Sequence, residues 1–320
     1  MSRYVEYNLS EISPQLLAAR QSKVKIEQLA QPPEAGATFA AFMESLPQIL
    51  AGEEIRRVAT RIAEARLKGR SSVVACGGHV VKCGVAPVLI RLMERGFITA
   101  LAMNGAVAIH DIEIALCGAT SEDVPDGLRS GTFGMSHETA AFYNSAIDHA
   151  VENNLGAGEA IGKMISASDA PFKEWSLLAR AYRSGVPATV HIAIGTDIVH
   201  MHPAASGAAL GEASMRDFRI LTAAMENLAD GGVLMNIGSA VILPEVLLKA
   251  IAILRNTRSN YAGLFGVNMD FMQQYRSNQQ VVVRVKEIGG DGASLTGHHE
   301  IMVPLLGFAI EEVWARFERQ

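Results

Sequence analysis

The sequence predicts an α/β protein: an open, doubly wound, mainly parallel sheet with helices on both faces, preceded by an N-terminal helical arm. Three observations predict it. Beyond Gly69, short β-branched or apolar runs alternate with longer segments of helical period. Several of those runs, such as residues 232–237, are continuously apolar, as strands covered on both faces are. The chain has 320 residues, of which 49% are hydrophobic and 19% charged, enough for a large core and too apolar for disorder. Strand–helix alternation of this kind makes a parallel sheet with helices on each side.

The elements follow in order. Residues 1–36 read as an arm with a short helix near 14–20, because Pro32-Pro33 favours extended chain. Residues 38–50 and 53–67 have helical period, with Ile55, Val58, Ile62 and Ala65 on one stripe and Arg56, Arg57 and Arg61 off it. Gly69 is placed to end the second of these helices. Strands are expected at 72–76, 97–103, 188–194, 232–237, 262–267 and 281–285. Helices are expected at 85–94, 106–117, 136–153, 172–183, 214–228, 244–255 and 305–317. Residues 1–68 are expected to pack as an arm and helices on one Rossmann-like domain, 69–320.

Charge and hydropathy narrow the class. A net charge of −5 excludes a nucleic-acid partner held by a broad basic face. Mean hydropathy is +0.18, yet the most apolar stretch, 240–254, contains Pro244, Glu245 and Lys249, so no membrane span is expected. Residues 1–9 carry Arg3 and Glu6 and no apolar core of a signal segment. Cys76, Cys83 and Cys117 form no Cys-x-x-Cys pair, which fits a reducing cytoplasm. The apolar excess is assigned to the doubly covered sheet and to contacts between subunits, for instance on 244–254. A dimer or tetramer is therefore expected.

In a doubly wound sheet ligands bind where strand C-terminal ends meet the next helix. Five stretches qualify: Cys76 to Gly84, Met103 to Ala106, Gly195 to Pro203, Asn236 to Ala240 and Gly266 to Asp270. Their glycines allow close backbone approach, and a nucleotide is the leading ligand. None reads Gly-x-Gly-x-x-Gly or Gly-x-x-x-x-Gly-Lys-[Ser/Thr], and no Gly-x-Ser-x-Gly elbow is present. His79, Lys82, His110 and the pair His298-His299 also fall near strand ends, and Asp111 near a helix start can serve the helix dipole. His200 and His202 would point the same way on extended chain, with Asp197 close by. That pattern is open to metal binding, to acid–base work or to plain satisfaction of buried backbone.

The order of these loops resembles the deoxyhypusine synthase family from residue 73 to the C-terminus. Lys82-Cys-Gly-Val85 is similar to the family's Ser-Ser-Gly stretch near the cofactor. Met103-Asn-Gly-Ala-Val-Ala-Ile-His-Asp111 is similar to its Thr-Ala-Gly-Gly-[Val/Ile]-Glu-Glu-Asp motif, without the first acidic pair. Val186-Pro187 to Thr196-Asp197 is similar to its Ile-Pro-Val…Thr-Asp segment. Residues 232–241, with Ile237-Gly-Ser-Ala240, are similar to a strand ending in triple glycine. Residues 299–314, with Val303-Pro-Leu-Leu306, are similar to its terminal segment. The resemblance implies NAD on a Rossmann-like sheet, homotetramers, and cofactor contacts at Cys83, Asn104, Gly105, Asp197, Gly238 and Ser239.

One departure limits it. The family's Trp-Gly-Lys motif, whose lysine forms an imine, is absent: neither Trp175 nor Trp314 precedes Gly-Lys, and Lys286 sits in a strand-like setting. The expectation is an NAD-type enzyme acting on a small, amine-bearing substrate, other than an authentic deoxyhypusine synthase. Asp197 would be its acid/base or ribose-binding carboxylate, with His200 or His79 transferring protons. Two rivals stay open: a His/Asp metal-dependent hydrolase or lyase, with metal at His200 and His202, and a non-catalytic oligomeric binding protein.

Overall fold

A computed structural model describes residues 2–257 and 261–319. Six strands, β1 (Ser72–Cys76), β2 (Ala100–Asn104), β3 (Ala188–His191), β4 (Val233–Ile237), β5 (Phe265–Asp270) and β6 (Asp291–Thr296), form one sheet. Every pairing is parallel and the order is β3-β2-β1-β4-β5-β6. This is the Rossmann order, whose direction of winding reverses between β1 and β4. Cys76 lies opposite both Met103 and Ile237, so β1, β2 and β4 end level with one another at that reversal.

Helices α1 (Phe39–Ser45) and α2 (Leu50–Leu67) precede the sheet. Between β1 and β2 run α3 (Gly78–Lys82) and α4 (Ala86–Glu94). Between β2 and β3 run α5 (Gly105–Cys117), α6 (Val124–Ser130), α7 (His137–Glu152), α8 (Ala157–Ala167) and α9 (Leu177–Ser184). Then come α10 (Gly207–Ala224), α11 (Ile242–Thr257), α12 (Tyr275–Asn278) and, beyond a π turn at Gln279–Val283, α13 (Arg284–Glu287). After β6 the chain closes with α14 (His299–Phe317).

The alternation of side chains along each strand splits the core into two layers. Val74, Cys76, Leu101, Met103, Met235 and Ile237 face Ile62, Leu89, Val107 and Leu306. Val73, Ala75, Ala100, Ala102 and Leu234 face Leu247, Ala250, Ile251, Leu254 and Val285. Both faces are thus covered, as the continuous apolar runs require. Among the described residues, no helix is long and apolar enough to cross a membrane.

Several expectations are corrected. The segment expected as a strand at 281–285 is helical, and β6 is Asp291–Thr296 instead. Val281, Val282 and Val285 are buried at helical spacing, so packing overrides the strand preference of valine. Lys286 accordingly lies on a helix. The Gly266–Asp270 stretch is strand β5 itself, and its loop begins at Phe271. The helix near 14–20 is one 3-10 turn, Leu17–Ala19. Helix α11 packs Leu243, Leu247, Ala250, Ile251 and Leu254 on its own sheet.

Helix α8 escaped the periodicity because it is built for closeness, not bulk. A Cβ on Gly158 would lie 2.0 Å from the Ala188 carbonyl oxygen, and one on Gly162 2.4 Å from that of Leu178. Two buried carboxylates tie this helical region together. Asp111 accepts hydrogen bonds from Ser176 Oγ (2.6 Å) and the N–H groups of Leu177 (2.7 Å) and Leu178 (3.0 Å). It therefore caps α9, a different helix from the one that carries it. Asp217 accepts from the N–H groups of Val190 (2.7 Å) and Gly158 (2.9 Å), joining α10 to β3 and α8.

Candidate active site at the strand ends

The C-terminal edge of the sheet carries two groups of chemically capable side chains. The first lies past β2 and β3. Asn104 ends β2 and caps α5, its Oδ1 accepting from the Val107 N–H at 3.2 Å. The next residue, Gly105, has no side chain because the space is taken: a Cβ there would lie 2.0 Å from Asp197 Oδ2. The Asp197 carboxylate therefore rests against the first turn of α5, where the helix dipole favours an anion. Its side chain is only 8% exposed, and Oδ2 has no hydrogen-bond partner. Burial pushes its pKa up to about 6.

His200 stands next to it, on the 3-10 turn Ile198–Met201. Its Nδ1 accepts from the N–H groups of Gly195 (3.1 Å) and Asp197 (3.3 Å), which places the proton on Nε2. Nε2 is buried and unpartnered, 3.9 Å from Asp197 Oδ2. Burial holds the ring below the ordinary histidine pKa. His200 thus keeps an unsatisfied Nε2–H donor beside Asp197, and its basic nitrogen is already engaged. His202 does not join it. The segment is a turn rather than extended chain, and His202 Nε2 donates to the Gly134 carbonyl at 2.9 Å. This geometry gives the His200–His202 metal pair no support.

The second group lies past β1, β4, β5 and β6. The β1 and β4 loops touch at the winding reversal: a Cβ on Gly77 would lie 2.2 Å from the Gly238 carbonyl oxygen. Gly238 has φ +63°, a left-handed conformation that suits glycine. A Cβ there would also meet His299 Cε1 at 2.8 Å. His79 and His299 stand with ring centroids 5.6 Å apart, and the Phe271 ring packs 5.9 Å and 6.1 Å from them. Asp270 Oδ1 lies 3.5 Å from His299 Nε2. Ser239 accepts from the Leu243 N–H through Oγ (3.3 Å) and so starts α11. Asn236 donates through Nδ2 to the Ser239 carbonyl (2.9 Å) and to Asn268 Oδ1 (2.8 Å), which braces the β4 and β5 ends.

Helix α5 connects the two groups. A Cβ on Gly78 would meet Ala106 Cβ at 3.0 Å and His110 Cδ2 at 3.4 Å. His110 Nδ1 lies 2.7 Å from Thr120 Oγ1, which donates to Glu113. Although desolvation opposes it, hydrogen bonds from His110, Thr120 and Thr139 hold the Glu113 pKa below the usual range.

Of the residues singled out from sequence, Asn104, Gly105, Asp197 and His200 meet in the first group, and His79, Cys83, Gly238 and Ser239 fall in or beside the second. Sequence reasoning had Asp270 only as the end of a candidate stretch, missed Phe271, and placed His299 only near a strand. The adjacent pair His298-His299 was the available signal; its partner across the sheet was not.

Comparison with known proteins bears on the fold. Residues 56–153, from α2 to the end of α7, match a family model described as arginine dihydrolase ArgZ-like, C-terminal, Rossmann fold. An ornithine cyclodeaminase from Methanocaldococcus jannaschii is 28% identical over 150 residues, 39% of this chain and 35% of the relative. One from Methanothermobacter thermautotrophicus is 36% identical over 66 residues, 21% of this chain and 16% of the relative. The alignments thus span well under half the length of these curated relatives.

Among solved structures, a conserved protein from Methanococcus maripaludis assigned to the LOR/SDH type matches 97% of this chain and 76% of its own, with TM-score 0.50 and 17% identity. AgrE in ternary complex with ornithine and NAD+ matches 82% of this chain and 33% of its own, with TM-score 0.50 and 16% identity. A protein assigned as a deoxyhypusine synthase from Entamoeba histolytica matches 87% and 94%, with TM-score 0.51 and 12% identity. At these identities the likeness is one of fold. The deoxyhypusine synthase resemblance therefore holds for the fold, as one of several similar folds.

Proposed function

We propose that this chain is an NAD-dependent enzyme acting on a small, amine-bearing amino acid, with cyclodeamination of an ornithine-like diamino acid as its reaction. The observation that carries the reading is the buried, unpartnered Asp197 carboxylate lodged against glycine at the start of α5. An acid beside a β–α turn of a Rossmann sheet suits the ribose hydroxyls of a dinucleotide, and Oδ2 is left without a partner. Gly105 and Gly238 supply close approach, with Cys83, Asn104 and Ser239 around them. The similarity to ornithine cyclodeaminases and to AgrE, solved with ornithine and NAD+, supports both cofactor and substrate class.

Such a reaction is redox-neutral overall: the diamino acid loses ammonia and closes to a cyclic amino acid. When bound, NAD would supply reversible hydride chemistry for such a reaction. Asp197 would hold the cofactor ribose, His200 would donate through Nε2, and His79, exposed at the cleft, would move the substrate proton. We also propose that the working form is a homo-oligomer, because the arm exposes Tyr4, Val5, Tyr7, Leu9, Leu16 and Leu17.

The test is calorimetric titration of NAD+ into wild type and Asp197→Ala, followed by an assay of NAD+-dependent ammonia release from ornithine. Saturable binding that weakens about tenfold or more in the variant supports the cofactor site. No binding of NAD+ or NADP+ at millimolar concentration sinks it. Binding without ammonia release removes the substrate assignment alone.

A further inference from the structure

The second group at the strand ends also brings two histidines and a cysteine together. His79 is on the first turn of α3, Cys83 caps the end of that helix, and His299 opens α14. One donor atom from each of the three lies within 4.8 Å of the others. His299 is 1% exposed, yet neither Nδ1 nor Nε2 has a hydrogen-bond partner. The Met269 backbone and the Asp270 carboxylate, 3.5 Å from Nε2, lie close to the ring without a well-formed bond to either nitrogen, and a structure tolerates a buried imidazole so loosely held where something else completes its bonding. The carboxylate of Glu300 stands beside the Cys83 thiol, with the Lys82 ammonium also near it, and that of Asp270 stands beside His299.

We infer that His79, Cys83 and His299 form a site for a borderline-soft divalent transition metal, with zinc as the occupant. Two imidazoles and one thiolate suit zinc and exclude magnesium and calcium, which take oxygen ligands. Two imidazoles on one tetrahedral zinc stand with ring centroids ~5 Å apart; here the separation is 5.6 Å. Asp270, nearest to Nε2 of His299, is placed to orient that ring as the outer carboxylate of a metal-bound histidine does, which leaves Nδ1 for the ion. Three protein ligands are the count of a zinc site that keeps one position open. Because His79 is exposed and Cys83 half-buried, that position opens to the strand-end cleft. The site is separate from the His200–His202 pair but draws on His79 and Cys83, so an ion held there would take the place of His79 as proton carrier.

The probe is Co2+ titrated into the full, chelator-treated chain and followed in the visible spectrum. One equivalent should bind, giving tetrahedral ligand-field bands and a thiolate-to-cobalt charge-transfer band, and Zn2+ should displace it. Cys83→Ser should lose the charge-transfer band, and His79→Ala and His299→Ala should each weaken binding about tenfold or more. His202→Ala should leave the spectrum unchanged. Circular dichroism reports folding of each variant; should His299→Ala not fold, exposed His79→Ala carries the same reading. Absence of saturable Co2+ bands in folded wild type overturns the proposal, as does a charge-transfer band that survives in Cys83→Ser. The spectrum reads the metal and calorimetry reads NAD+, so either can fail without the other.

Discussion

At the scale of single residues, Asp197 sets the behaviour most open to measurement. Its folded pKa is raised to about 6 by burial, so the carboxylate is ionised only above that pH. A cofactor or amine that needs the anion should bind more tightly as pH rises through about 6, and Asp197→Asn should bind weakly with no such rise. NAD+ titrations between about pH 5 and 8 check this; a pH-independent wild type would remove Asp197 from the site. Gly105→Ala tests the same contact from the other side. Its Cβ would displace the carboxylate, so ligand affinity should fall while the fold survives. Asp197, Gly105 and Gly238 were legible because a strand end announces them. The direction of each ring was not: His200 turned its basic nitrogen inward to Gly195 and Asp197, and His202 turned away to Gly134.

At the scale of elements, the buried carboxylates hold the helical insert between β2 and β3. Asp111→Ala would strip the cap of α9 and leave buried N–H groups of Leu177 and Leu178 without partners. The cost should be about 3 kcal/mol or more in denaturant unfolding; under about 1 kcal/mol would show that water replaces the cap. Asp217 has its pKa pushed up to about 7 by burial, against the N–H donors of Val190 and Gly158. A raised acid contributes most stability below its unfolded pKa and loses it as pH rises through the folded one. Wild-type stability should therefore decline between about pH 4 and 7, and Asp217→Asn should flatten that slope. Both acids sit in helices where sequence shows only a surface-type residue. The valine run at 281–285 failed as a strand for a related reason: β propensity describes packing on a sheet, and these valines pack on one from a helix.

At the scale of the molecule, NAD+ should raise the thermal midpoint of the chain by mass action if the cleft binds it, and scanning fluorimetry reads this directly. Light scattering at micromolar concentration should give a dimer or tetramer; a clean monomer would reject self-association and leave the exposed arm without a role.

By itself the sequence determined the class of fold, because period and continuous apolar runs are local properties that burial on two faces imposes along each strand. It also determined which loops meet the functional edge, since each follows a strand. Only the tertiary structure decided which residues share a site. His79 and Cys83 follow the first strand and His299 the last, and β4 and β5 lie between those strands in the sheet. Their meeting depends on strand order and on the glycine contact between the β1 and β4 loops. No local pattern encodes a distance between distant parts of the chain; packing sets it.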